Sequence, residues 1–65
     1  MTLWINGEER ETQAATLAEL LTQLGYSDAS VATAVDGEFV PRSARAATPL
    51  TPAMRIDIVA PIQGG

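Results

Sequence analysis

The residues of this sequence best suited to do chemistry are Gly64 and Gly65, which follow the run Ala60-Pro61-Ile62-Gln63. Neither has a Cβ, so the pair can enter a channel too narrow for other residues and adopt backbone angles closed to them. A carboxylate on Gly65 has an ordinary pKa of about 3.3–3.7 and is ionised at neutral pH. It can attack the phosphorus of a nucleotide, and the mixed anhydride formed is an activated acyl group. Few other residues compete for a chemical role. Cys and His are both absent, which leaves no thiolate, no disulfide framework and no imidazole. Glu8, Glu9 and Glu11 come nearest to a cluster of acids but read as the solvated face of a polar strand. No metal site is expected.

The charge balance narrows the partners. Eight acidic residues stand against four arginines, with no lysine, for a net charge of −4. Nucleic acid needs a basic footprint and is not an expected partner; a protein with a basic docking surface is. Without lysine, no internal side-chain amine can receive an acyl group from Gly65. Met1-Thr2-Leu3-Trp4 lacks the basic region of a signal peptide. No stretch approaches the roughly 20 apolar residues that span a bilayer, so a cytoplasmic protein with no membrane partner is expected.

The elements that must position the tail follow from periodicity. At 65 residues the chain reads as a single domain, 1–65. Met1, Leu3 and Ile5 alternate with Thr2, Trp4 and Asn6 as in a half-buried strand. Asn6-Gly7 signals a type I′ hairpin turn, and Glu8 to Thr12 returns as a charged edge strand. Thr16-Leu17-Ala18-Glu19 fits a capping box. Leu17, Leu20, Leu21 and Leu24 then form one helical stripe, and Gly25 stands where a C′ glycine ends a helix. Tyr26 to Ser30 reads as a connector. Val31 to Val35 and Glu38 to Val40 read as strands joined by Asp36-Gly37, with Pro41 closing the second. Ser43 to Ala47 suggests a helical turn capped by Ser43. Pro52 leads a type I turn over Thr51 to Met54, before a last strand from Arg55 to Val59 with Ile56 and Ile58 inward. A single amphipathic helix between two hairpins must cross one face of a mixed sheet, an α+β class of about five strands arranged as a β-grasp. The expected core is Met1, Leu3, Ile5, Leu17, Leu20, Leu21, Leu24, Val35, Val40, Leu50, Ile56 and Ile58. Beyond Pro61, Ile62 to Gly65 are expected to project unpaired as a flexible tail, with a reach of about 13–14 Å.

These residues together resemble a known family, the sulfur carrier proteins of thiamine biosynthesis (ThiS), which share the ubiquitin-like β-grasp. The resemblance rests on Ile5-Asn6-Gly7-Glu8, Thr16-Leu17-Ala18-Glu19-Leu20-Leu21 and Ala34-Val35-Asp36-Gly37-Glu38-Phe39-Val40-Pro41-Arg42-Ser43. Thr48-Pro49-Leu50, Arg55-Ile56-Asp57-Ile58-Val59 and Gly64-Gly65 complete it. Two positions depart from the family's pattern: Pro52-Ala53-Met54 replaces an Asp-Gly-Asp-like turn, and Arg45 stands where a Trp is frequent. The resemblance implies that an adenylating, E1-like activating enzyme uses ATP to adenylate Gly65. Sulfur from a persulfide then displaces AMP, and the thiocarboxylate so formed donates sulfur to thiazole synthase. It further implies a carrier that is not an enzyme, with no permanently bound cofactor, whose Gly64, Gln63 and Ile62 are read by partners. The small subunit of molybdopterin synthase, a ubiquitin-like protein modifier and a plain interaction module remain alternatives.

Strand alternation also predicts a docking face. Trp4 and Val59 point opposite in sense to Leu3, Ile5, Ile56 and Ile58. A two-residue turn at Asp36-Gly37 puts Ala34 and Phe39 together on that same face, away from the helix. Ubiquitin-like proteins use the corresponding surface, so Trp4, Ala34, Phe39 and Val59 are the expected partner contacts.

Overall fold

The computed structural model describes residues 1–26 and 31–59. The connector over 27–30 and the expected tail residues Ile62, Gln63, Gly64 and Gly65 lie outside the described residues. The elements in chain order are β1 (Thr2–Ile5), β2 (Glu8–Glu11), α1 (Leu17–Gln23), β3 (Ala32–Val35), β4 (Glu38–Val40), a 3₁₀ segment (Arg42–Ala47) and β5 (Arg55–Val59). The strands form one sheet in the order β2-β1-β5-β3-β4. β5, last in sequence, is therefore central in space, parallel to β1 and antiparallel to β3. This is the expected β-grasp.

Both hairpins close as their turn residues require. Asn6 and Gly7 have φ of 52° and 81°, and Asp36 and Gly37 have 50° and 87°. A two-residue turn with positive φ at both positions matches the right-handed twist of the flanking strands.

Helix α1 is stopped at both ends by hydrogen bonds. The Glu19 N–H donates to Thr16 Oγ1 at 3.2 Å. The Glu19 carboxylate accepts from the Ala15 N–H at 3.0 Å, one residue before the position that a capping box uses. The Leu17 N–H, an orphan donor of the first turn, reaches Thr48 O at 3.0 Å. At the other end the Tyr26 N–H donates to Leu21 O at 2.8 Å and the Gly25 N–H to Thr22 O at 3.2 Å, with Gly25 at φ 89°. That pair of bonds is a Schellman motif, for which a residue without a Cβ is best suited.

The buried apolar set is Leu3, Ile5, Ala14, Leu17, Leu20, Leu21, Leu50, Ile56 and Ile58. Met1, Leu24, Val35 and Val40, expected inside, pack against it only partly buried. Val35 and Val40 do face the helix side, but Val40 is on the edge strand β4 and Val35 is the last residue of β3, where one seven-residue helix leaves them partly open. Three polar residues join the interior: Thr12, Thr33 and Arg45. Arg45 Nε donates to Thr33 Oγ1 at 3.1 Å and Nη2 to Val31 O at 2.6 Å. The Thr33 hydroxyl donates onward to Val40 O at 2.7 Å. The buried guanidinium thus has its donors on neutral acceptors.

Two local expectations are corrected. Ser43 caps nothing: the 3₁₀ segment begins after Pro41, with no side-chain cap bond. The Thr51–Met54 turn is type II and not type I, because Ala53 has φ 68° while the Met54 N–H bonds to Thr51 O at 3.3 Å. Type II requires positive φ at its third residue and so favours glycine there. The turn cannot relax, since the Ala53 N–H is held by Thr2 O at 2.8 Å and Met54 O by the Trp4 N–H at 3.0 Å.

Two substitutions test this description in urea unfolding. Leu20 is 1% exposed, so Leu20→Ala should cost about 2–5 kcal/mol; a loss under 1 kcal/mol would show the helix register to be wrong. Ala53→Gly should raise stability by about 0.5–1 kcal/mol, the left-handed strain of alanine less the extra unfolded-state entropy of glycine. No gain would contradict the type II turn.

Candidate functional site

The root of the tail is the end of β5. Val59, its last residue, pairs with Ala32 of β3, and Ile58 pairs with Thr33. On the other edge, β1 pairs with β5 only at Trp4↔Arg55 and Ile5↔Ile56 before turning away at Gly7. The Asn6 side chain bridges the gap that is left. Its Nδ2 donates to Ile58 O at 3.1 Å, and its Oδ1 accepts from the Ile58 N–H at 2.8 Å. Asp36 makes a related contact at the start of the strand, accepting from the Arg55 N–H at 3.0 Å while its own N–H donates to Arg55 O at 2.8 Å. The first residue of each hairpin turn therefore grips one end of β5. Neither contact is evident in the sequence, where Asn6 and Asp36 read as turn formers only.

The sheet face away from α1 carries the expected docking residues. Phe39 is 70% exposed, Val59 62% and Trp4 43%. Ala34 is partly exposed and pairs with Phe39 on one side and Asp57 on the other. Phe39, Ala34 and Val59 thus lie on adjoining strands β4, β3 and β5, with Ala32 between them. Trp4 is set apart. It is beside Arg55, four residues or about 13 Å along β5 from Val59, and Asp57 projects between them. The exposed apolar residues therefore flank a charged strip of Arg55 and Asp57, and do not form one unbroken patch. Beyond Trp4, the same face continues through Glu9 and Glu11 of β2. The Thr2 hydroxyl donates to the Glu11 carboxylate at 2.7 Å. That bond, and then the amino terminus 3.1 Å away, holds the Glu11 carboxyl below its ordinary pKa.

No group of three or more metal-binding side chains occurs among the described residues. A cavity of about 200 Å³ opens beside the tail's root, bordered by Asn6, Leu24, Tyr26 and Ile58. No helix of the described residues is long and apolar enough to cross a membrane. What the described residues provide is a five-stranded platform with one face left uncovered by α1 and with β5 paired on both edges.

The sequence model of the ThiS family matches residues 3–65. The chain belongs to the ThiS family. The role that goes with membership, sulfur carrier in thiamine biosynthesis, is the one the residues pointed to. A crystal structure of the thiamine biosynthesis protein ThiS from Geobacter metallireducens is similar over 100% of both chains, with a TM-score of 0.82 at 28% identity. No curated protein matches the sequence. The family match spans both departures, Arg45 and Pro52-Ala53-Met54, and the structure shows how each is accommodated without changing the fold.

The exposure of Phe39 and Val59 sets an expectation for stability. Phe39→Ala and Val59→Asp should each change unfolding free energy by no more than about 1 kcal/mol, the span of strand propensity at a solvated site. A larger loss in thermal or urea unfolding would mean that these side chains are packed.

Proposed function

We propose that this carrier works through the carboxylate of Gly65, in the reaction sequence of a thiocarboxylate donor. A carboxylate oxygen attacks the α-phosphorus of ATP on an activating enzyme, and pyrophosphate leaves. A persulfide sulfur then attacks the carbonyl carbon of the acyl-adenylate and AMP leaves. Reductive cleavage of the resulting acyl disulfide by a thiol leaves the thiocarboxylate on Gly65 and a disulfide on the thiol's side. Thiazole synthase receives the sulfur. The acid–base groups, ATP site and sulfur donor belong to these partners, and the carrier is handled as a substrate.

The observation that carries this reading is a family match over residues 3–65, a range that includes Gly64 and Gly65. Physical chemistry supports it. A carboxylate is a poor electrophile until it gains a leaving group, and glycine is the residue that best enters a narrow channel. Gln63 and Ile62 precede the reactive end and would be read by the channel's mouth. Trp4, Ala34, Phe39 and Val59 would meet the partner's docking surface, with Arg55 and Asp57 setting the register by charge. The net charge of −4 suits a basic counterpart.

Incubation with ATP, a sulfur source and the activating enzyme, followed by intact-mass measurement, is the direct test. One oxygen replaced by sulfur is expected, whereas a larger protein conjugate or an unchanged mass would reject the proposal. Removing Gly65, or adding a residue after it, should abolish ATP–pyrophosphate exchange while leaving unfolding unchanged. Phe39→Ala and Val59→Asp should weaken binding to the activating enzyme by about tenfold each, or about 1.4 kcal/mol. Normal binding by both would place the docking surface elsewhere.

A further inference from the structure

Asn6 does more than form a turn. In a parallel ladder each residue of one strand uses its N–H and C=O to bracket a residue of the next. The Asn6 N–H donates to Ile56 O at 2.9 Å, as such a ladder requires. If β1 continued straight, the Asn6 C=O would next accept from the Ile58 N–H, and the N–H of residue 8 would donate to Ile58 O. The main chain does neither, because it turns back into β2 with Asn6 at φ 52°. The carboxamide performs both tasks instead: Oδ1 takes the Ile58 N–H at 2.8 Å and Nδ2 gives to Ile58 O at 3.1 Å. A side-chain amide thus stands in for one more peptide group of β1.

The contrast with Asp36 shows why the residue types differ. At Arg55 the carbonyl is already taken by the Asp36 main-chain N–H, so only an acceptor is required, and a carboxylate suffices. At Ile58 both an acceptor and a donor are required, so only a carboxamide serves. Among residues that tolerate positive φ at the first position of a type I′ turn, Asn alone offers both.

We propose that Asn6 is the positioning residue of the reactive tail. It closes the β1 side of β5 at Ile58 while β3 closes the other side through Val59, and so fixes the end of the strand from which Gly65 is carried. This rests on Gly65 being the reacting end. A root held in one place narrows the volume that a flexible tail must search, and misplacement at a reacting centre by about 1 Å can cost on the order of a hundredfold in rate. The docking face is on the opposite side of the sheet from the helix and does not include Asn6. Loss of the carboxamide should therefore lower turnover without weakening docking.

The test uses the full chain with two variants and a control. Asn6→Gly keeps the turn and removes the carboxamide. Asn6→Asp keeps the acceptor but sets a carboxylate oxygen against Ile58 O. Asp36→Asn is the control, since an amide oxygen can still accept from Arg55. In ATP–pyrophosphate exchange, kcat should fall by about ten- to a hundredfold for both Asn6 variants, with KM for the carrier within about threefold of wild type; Asp36→Asn should match wild type. The Ile58 amide, followed by NMR hydrogen exchange, should lose protection by about tenfold or more in Asn6→Gly while the Thr33 amide keeps it. A merely structural role would lower both protections alike, and would lower activity only by the unfolded fraction. That outcome, or wild-type kcat in both Asn6 variants, would overturn the proposal. If wild type itself supports no exchange of pyrophosphate, the reading of Gly65 fails, and this proposal with it as far as catalysis goes. The Ile58 protection would still decide whether Asn6 holds the root, and unchanged protection in Asn6→Gly would show that it does not.

Discussion

The ladder that β5 forms on both of its edges is the interaction on which this small protein depends. Until β5 lies between β1 and β3, the two hairpins share no sheet. The contacts that admit it are distant in sequence, with Asn6 and Ile58 separated by 52 residues. Closing such a span costs chain entropy before any bond is formed. The cost is offset by placing Ile56 and Ile58 at 0% and 5% exposure beneath α1 and by gripping both ends of the strand through Asn6 and Asp36. The last described residues of the chain thus belong to a strand that is central in the sheet and held on both edges.

A domain of this size has little stability to spare, and its interior shows how that margin is kept. The stripe of Leu17, Leu20 and Leu21 is buried against Leu3, Ile5, Ile56 and Ile58, while the helix ends are closed by Thr48, Thr16 and the Schellman bonds at Gly25. Where apolar residues run out, beneath β3 and β4, the interior is completed by Arg45 and Thr33. Buried guanidinium groups are costly unless their donors are satisfied, and here Nε and Nη2 both find acceptors. Specific hydrogen bonds thereby complete this part of the interior.

The division of labour follows from the chemistry available. The sequence has no thiol and no imidazole, so two of the side chains most often used for nucleophilic and acid–base work are missing. What the fold contributes is geometry. One face is left with Phe39, Val59 and Trp4 around Arg55 and Asp57, and the tail begins from a strand held on both sides. The exposed apolar face and the grip on β5 are thus built from different residues of the same sheet.

Much of this was legible in the sequence because it depends on local rules. Two-residue turns at Asn6-Gly7 and Asp36-Gly37 set their own hairpin registers, so Phe39 could be placed opposite Ala34 and away from the helix from spacing alone. The leucine stripe, Thr16 and Gly25 marked the helix and both its ends. What sequence could not settle depends on neighbours far along the chain. The type II turn at Ala53 is imposed by Thr2 and Trp4, which hold its backbone more strongly than alanine resists positive φ. Arg45 looked like a lost aromatic until β3 brought Thr33 and Val31 within reach of its guanidinium. Val35 and Val40 followed the inward alternation, yet the shortness of α1 left them at the rim. Asn6 was visible as a turn residue, because that follows from its own φ. Its hold on Ile58 exists only once β5 lies beside β1, because the carboxamide's partners are main-chain groups that every residue carries and no sequence pattern marks.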